Sequence, residues 1–365
     1  VAAFLADPTF SHPISSIVEK PTEGIIGMAF GVLIGGLLQY AFQWPSLRNA
    51  GFRYRPMLSF TDRGLRRIFA LMGPAVIGAA AVQVNVLVNS NFASSIPTET
   101  GAGPVSWLKY SFRLMQFPIG IFGVAIATAT LPAISRSAAR KDVKEFRHTL
   151  AGSIRLAFLL TIPSAVGLIV LGRPIIELIY ERGHFGPADT RHTAAALAFY
   201  AIGLAGYAAV RILAPAFYAL NDARTPMMIS LLSMATNFVM NWMLVGVLQE
   251  RGLALSSSTV ALMNFALLYA IMRRRVDGIE GRRTGITVAK ILAASAVMGA
   301  VCWGLNNAIG RFTGVVFPAR AANVFVSVTA GAGIFYLVAS ALRVQELKAA
   351  TDIFVKRFAR RPSRP

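Results

Sequence analysis

The chain has 365 residues, 55% hydrophobic and only 14% charged, with a formal net charge of +20 and a mean hydropathy of +0.58. An ordinary soluble domain is excluded by that balance, and so is a nucleic-acid reading of the charge, because the basic residues sit in short segments between apolar runs. The single cysteine, Cys302, excludes an intramolecular disulfide framework, and no zinc-type spacing occurs, so neither metal nor cofactor is expected.

Residues 1–6 read as the last turns of a helix. With neither an initial methionine nor a signal pattern, the sequence is expected to be the later part of a longer protein. After a polar stretch (7–23), a first complete span covers residues 24–44, followed by a loop carrying Arg48, Arg53, Arg55, Arg63, Arg66 and Arg67. The second span, 68–88, ends in the polar edge Gln83, Asn85 and Asn89. The third is the segment 103–135, whose apolar run from 114 to 134 is long enough to cross about 30 Å of hydrocarbon. Arg113 heads that run, with Lys109 one turn earlier, while Pro118, Pro132, Gly120 and Gly123 predict a bend and close helix approach. A helix over 136–148 would align Arg136, Arg140 and Lys144 in one basic ridge.

Six further spans are expected at 153–172 (interrupted by Pro163), 193–214, 226–248, 252–272, 287–307 and 321–342. A loop containing ERGHFGPADTRH precedes the second of these, and the basic tail 343–365 should lie on the membrane surface. Lys and Arg are distributed twenty-four to six between the two sides, which places the C-terminus in the cytoplasm.

None of the sixteen carboxylates falls inside an expected span, whereas Arg113 and Arg211 do. A guanidinium at that depth costs about 2.5–3.5 kcal/mol on insertion scales, so it should face a watery cavity or an anion. A phosphate or diphosphate matches arginine's planar fork. Lys109, Arg155, Lys290 and Arg320 lie nearer helix ends, where snorkelling to the interface suffices. Asn237 and Asn241 share a helix face and, with Asn85 and Ser257 or Thr259, read either as an oxygen-lined cation site or as interhelical hydrogen-bond glue; a set without carboxylates makes a weak cation site. The histidines, His12, His148, His184 and His192, read as solvated loop residues. A membrane-embedded lipid-phosphate transferase would need an acid/base or metal set, for which Glu177, Glu181, His184 and Asp189 are the candidates, without a recognisable metal spacing.

The run SWLKYSFRLMQFPIGIFGVAIATATLPAIS resembles the arginine-bearing helix of the MurJ/MviN lipid II flippases, and RILAPAFYALNDARTPM and GVLIGGLLQY are similar to two further stretches of that family. The resemblance implies an all-α, polytopic helix bundle of the multidrug/oligosaccharidyl-lipid/polysaccharide (MOP) exporter superfamily. Most of its N-terminal lobe would be absent here. It implies a remnant and last helix of that lobe at 1–44, a cytoplasmic basic loop at 45–67, a six-helix C-terminal lobe at 68–272, two additional helices at 273–342 and a basic cytoplasmic tail at 343–365. It further implies a monomeric transporter of the bacterial inner membrane, without enzymatic activity. Lipid II or a related polyprenyl-diphosphate-linked saccharide would be its substrate and membrane lipids its surroundings. Arg113 would contact the diphosphate, with Lys109, Gln116 and Arg211 around it, and the last two spans would form a groove for the lipid tail. Some members place acidic residues beside the cavity arginine and bind sodium through aspartates; Phe112 and Gln116, and Asn85 and Asn241, stand here instead. An exporter of cationic drugs would need cavity carboxylates, which this sequence does not supply.

Overall fold

In the computed structural model the described residues are 21–49, 51, 63–98, 102–312 and 317–347. They are almost entirely helical, and fall into two units, 1–65 and 66–365. The first unit contributes helix α1 (Pro21–Asn49), which runs through the expected first span. The expected remnant at 1–6, most of the basic loop and the surface-lying tail beyond 347 fall outside the described residues.

From residue 63 onward the chain forms α2 (Arg63–Ser94), whose first three residues belong to the first unit, and then, within the second, α3 (Gly103–Pro118), a π-helical segment (Ile119–Val124), α4 (Ala125–Ala139), α5 (Val143–Tyr180), α6 (Pro187–Ile202), α7 (Leu204–Ala219), α8 (Arg224–Arg275), α9 (Gly281–Phe312) and α10 (Phe317–Ala341). Six of these stretches are long and apolar enough to cross a membrane, or seven if α6 and α7, bent by 45°, count as one broken span.

Helix α8 is two expected spans in one. At 52 residues it would measure about 78 Å if straight, but Gln249 adopts φ 51°, ψ −132° and folds it back on itself. Asn237 meets Ser256 across the two arms, and Arg275 at the end of the second bonds Asp222 just before the first, so the arms form an antiparallel hairpin. Burial pushes the Asp222 carboxyl up, but the Thr225 hydroxyl and amide and the Arg275 guanidinium outweigh it and hold the group below its usual value.

Three expectations need correction. The helix over 136–148 breaks at Lys141 (φ 58°), and Asp142 caps a new helix by accepting from the Glu145 amide, so the basic ridge does not form. The fourth span continues through Pro163 and Pro174, and α5 reaches 38 residues, leaving only residues 181–186 between it and α6. A proline costs one backbone bond locally, and here the helix is packed on several sides: Leu150, Ile154, Leu159 and Leu171 are fully or almost fully buried. The fifth span bends at Gly203, where the chain crosses the second arm of α8 so closely that a Cβ would sit 2.7 Å from the Ser258 Cα.

In lipid, helices associate mainly through close packing and interhelical hydrogen bonds, so small residues at crossings matter. Gly203 and Gly206 seat α6–α7 on the hairpin, and a Cβ on Gly123 in the π-helical segment would lie 3.6 Å from Ala208 of α7. That segment directly follows Pro118, whose missing N–H leaves the carbonyl of the preceding turn without its helical bond. Helices α9 and α10 pack on α5 and on each other.

Candidate functional site

Helix α3 starts where the sequence says it should, with Pro104 in its first turn. Its inner face buries Trp107, Leu108, Ser111, Met115 and Pro118. The opposite face exposes Lys109, Arg113 and Gln116, spaced as one helical stripe that Gly120 of the π-helical segment continues. Helices α3 and α6 run parallel: Trp107 meets Asp189, the Ser111 hydroxyl donates to the Thr193 carbonyl at 2.8 Å, and Phe112 packs edge-on against Tyr200.

Between α2, α3, α6, α7 and both arms of α8 lies a cavity of about 250 Å³. Its wall includes Lys109, Asn85, Asn89, Asn237, Ser257 and Tyr207, and no carboxylate. Arg113 is exposed one turn beyond Lys109 and is not part of that wall; Gln116 is exposed further along the same stripe. Arg211 is likewise exposed, one turn beyond the wall residue Tyr207. Since Gly123 lies level with Ala208, Arg211 sits roughly 13 residues, or about 20 Å, along the bundle from Arg113. The stripe Lys109–Arg113–Gln116 is therefore one group, and Arg211 lies apart from it.

The amides form a seam. Asn89 donates to Asn85 (3.1 Å) and Ser257 (3.3 Å), Asn241 donates to Asn89 (2.5 Å) and Asn237 (2.9 Å), and Asn237 donates to Ser256 (3.1 Å). Four of these residues are among the expected set; Asn89 is its hub, and Ser256 joins while Thr259 is exposed elsewhere. The i, i+4 spacing of Asn85 and Asn89 was the signal for that hub. The side-chain oxygens of Asn85, Asn89 and Asn237 are each engaged, leaving only Asn241 Oδ1 without a partner. With no carboxylate near, this is a poor fit for a cation and a good one for joining α2 to the hairpin. Among the described residues no group of three or more His, Cys, Asp and Glu could hold a metal.

Two expectations about charge are overturned. Arg155 does not snorkel: it is buried, and its Nε and Nη1 donate to Glu346 (2.6 Å) and Glu280 (2.8 Å), carboxylates contributed by the turns after α10 and α8. Arg320 pairs with Glu177 (3.1 Å) and Glu181 (3.6 Å). These two cations are thus neutralised from loops and helix ends, although no carboxylate lies mid-span. Among the described residues, Lys109, Arg113 and Arg211 have no such ion pair. Nor are all the histidines solvated: His192 is half-buried and stacks on Trp107 with ring centroids 4.2 Å apart while bonding Glu250 at 2.8 Å, whereas His148, which bonds Glu280 at 3.0 Å, stays exposed. Burial raises the Glu280 carboxyl, but hydrogen bonds from His148 and Arg155, with their charges, outweigh it and hold it below its usual value. Of the residues considered for acid/base chemistry, Asp189 is occupied by the Trp107 indole and the Ala102 and Gly186 amides, and Glu177 and Glu181 by Arg320.

The family model described as "Lipid II flippase MurJ" matches residues 2–322 of this chain. The chain belongs to the MurJ lipid II flippase family. It is 36% identical over 341 residues to the probable lipid II flippase MurJ of Vibrio cholerae, covering 93% of this chain and 64% of that relative. It is 32% identical over 277 residues to the lipid II flippase MurJ of Burkholderia cenocepacia, covering 75% and 52%. This chain thus spans less than two thirds of the length of these MurJ relatives. A solved MurJ structure in an inward closed conformation superposes with a TM-score of 0.63 at 25% identity, covering 89% of this chain and 64% of that one. A MOP superfamily transporter from Pyrococcus furiosus shares the fold, with a TM-score of 0.50 at 14% identity over 80% of this chain and 72% of that one. The chain is accordingly an all-α, multi-pass membrane helix bundle with the fold of that family.

Proposed function

We propose that the protein moves lipid II, or a closely related polyprenyl-diphosphate-linked saccharide, across the bacterial inner membrane by alternating access, and so serves peptidoglycan synthesis. The diphosphate-sugar headgroup passes along the cationic face of α3, with Arg113 as the principal diphosphate contact. Lys109 and Gln116 flank it, and Arg211 receives the charge toward the other end. The exposed apolar faces of α9 and α10, including Leu292, Trp303, Phe325 and Leu337, offer the polyprenyl tail a surface beside the bundle. No bond is made or broken, so no catalytic residue is assigned. The C-terminus is cytoplasmic on the distribution of Lys and Arg, and the protein works as a monomer.

One observation carries this reading: Arg155 and Arg320 each have two carboxylates, while the Lys109–Arg113 pair of the open stripe has none among the described residues. Charge left unmatched at membrane depth fits a visiting anion, and the guanidinium fork fits a diphosphate better than an ammonium does. The experiment is replacement of a depleted cell's own flippase by the full-length protein. Arg113→Ala should abolish growth and Arg113→Lys should restore it only partly; normal growth on Arg113→Ala removes the proposal.

A further inference from the structure

Glu250 is the least explained charge in the molecule. It stands at the tip of the α8 hairpin, directly after the left-handed Gln249, and is 1% exposed. Its Oε1 faces His192 Nδ1 at 2.8 Å, and its Oε2 is buried without a hydrogen bond. A bare carboxylate there would be costly, so the pair has reason to keep a proton between them.

The imidazole of His192 lies flat on Trp107, 4.2 Å between centroids and 9° between planes, an arrangement that favours a cationic ring. Trp107 Nε1 donates to Asp189 at 2.6 Å, and the same carboxylate accepts from the Ala102 amide immediately before α3. A continuous path therefore links the hairpin tip, through the pair and the indole, to the first turns of the helix that carries Lys109 and Arg113. The charged groups around the pair are Asp189 and the exposed Arg191 on α6, Arg251 on α8 with Nε 3.8 Å from Glu250 Oε1, Lys109 on α3, and Glu181 at the end of α5. Glu181 is engaged by Thr190 and Arg320. Arg251 alone reaches the Glu250 carboxylate besides His192, at a distance too long for a hydrogen bond.

We propose that His192 and Glu250 form a proton-binding latch: with the shared proton in place the hairpin tip is held against α6 and the start of α3, and loss of that proton releases the tip and frees this end of the Arg113 helix to tilt. His192 and Glu250 are positioning residues, since neither belongs to the cationic stripe, and the latch stands whichever lipid is carried.

Trp44, Trp242 and Trp303 are exposed and Trp107 is buried, so replacing the three exposed tryptophans by Phe, together with any that lie outside these 365 residues, leaves Trp107 as sole reporter in the full-length protein. In lipid nanodiscs its emission, quenched by a stacked imidazolium, should rise in a single step as pH increases. Glu250→Gln should move that step at least one pH unit lower, a tenfold weaker hold on the proton, and His192→Gln should abolish it. Amide exchange at residues 249–252, corrected for its intrinsic pH dependence, should lose protection across the same step. A step that persists in His192→Gln, an unmoved step in Glu250→Gln, or protection that does not change with pH overturns the latch. If either variant fails to fold, the exchange measurement on unsubstituted protein decides alone.

Discussion

Replacing Arg155 by Leu tests how this bundle handles a buried cation. The side chain is 3% exposed and holds Glu346, 9% exposed, and Glu280, 28% exposed. Glu280 keeps His148 at 3.0 Å and Arg283 at 3.5 Å after the change, so most of the damage falls on Glu346, whose Oε2 already has no partner. Stranding one buried carboxylate costs about 3–5 kcal/mol, and with Glu280 still served the lower end, about 3 kcal/mol, is expected. Removing the stranded group as well, in Arg155→Leu/Glu346→Leu, should return about 2 kcal/mol, because two matched apolar side chains replace the pair. Reversible unfolding in mixed micelles, followed by far-ultraviolet circular dichroism, gives the four corners of the cycle. Coupling under about 0.5 kcal/mol, the scatter of independent sites, would refute the pairing.

Gly203→Ala should destabilise by about 1–3 kcal/mol, since its Cβ meets Ser258 backbone at 2.7 Å; the same unfolding assay reads it, and a neutral effect would mean that the crossing yields easily. Glu280 titrates below its ordinary value of 4.5 in the fold, so its stabilisation is complete above that value and disappears as pH falls through the lower folded one. Acid unfolding profiles should show this loss, and Glu280→Gln should flatten it. Asn241→Leu should cost about 1–3 kcal/mol by leaving acceptors of Asn89 and Asn237 unpaired, without making transport sodium-dependent or sodium-independent; a changed sodium response would restore the cation-site reading.

The spans were legible because about 20 apolar residues between basic loops leave few alternatives, and Gly123 marks a real close approach of helices, whereas the bend at Gly203 was not anticipated. The start of α5 was also within reach, since Asp142 followed by Glu145 is a helix-start signal; hydropathy alone hid it. What hydropathy cannot supply is long-range pairing. Arg155 reads as a snorkelling cation because its partners lie 125 and 191 positions away in loops, and His192 reads as solvated because Trp107 and Glu250 come from other helices. Of the site, the stripe on α3 follows from helical spacing, and the amide seam from the shared face of Asn237 and Asn241. The distance between Arg113 and Arg211 depends on the parallel register of α3 with α6, which no local pattern encodes.

The cationic stripe as the diphosphate's path is tested most directly by lipid binding to the full-length protein in nanodiscs, comparing a polyprenyl-diphosphate saccharide with the same saccharide on an uncharged linkage. Unsubstituted protein should favour the diphosphate at least tenfold, and Arg113→Ala should erase that preference while leaving binding of the uncharged lipid unchanged. An undiminished preference in Arg113→Ala would contradict the account.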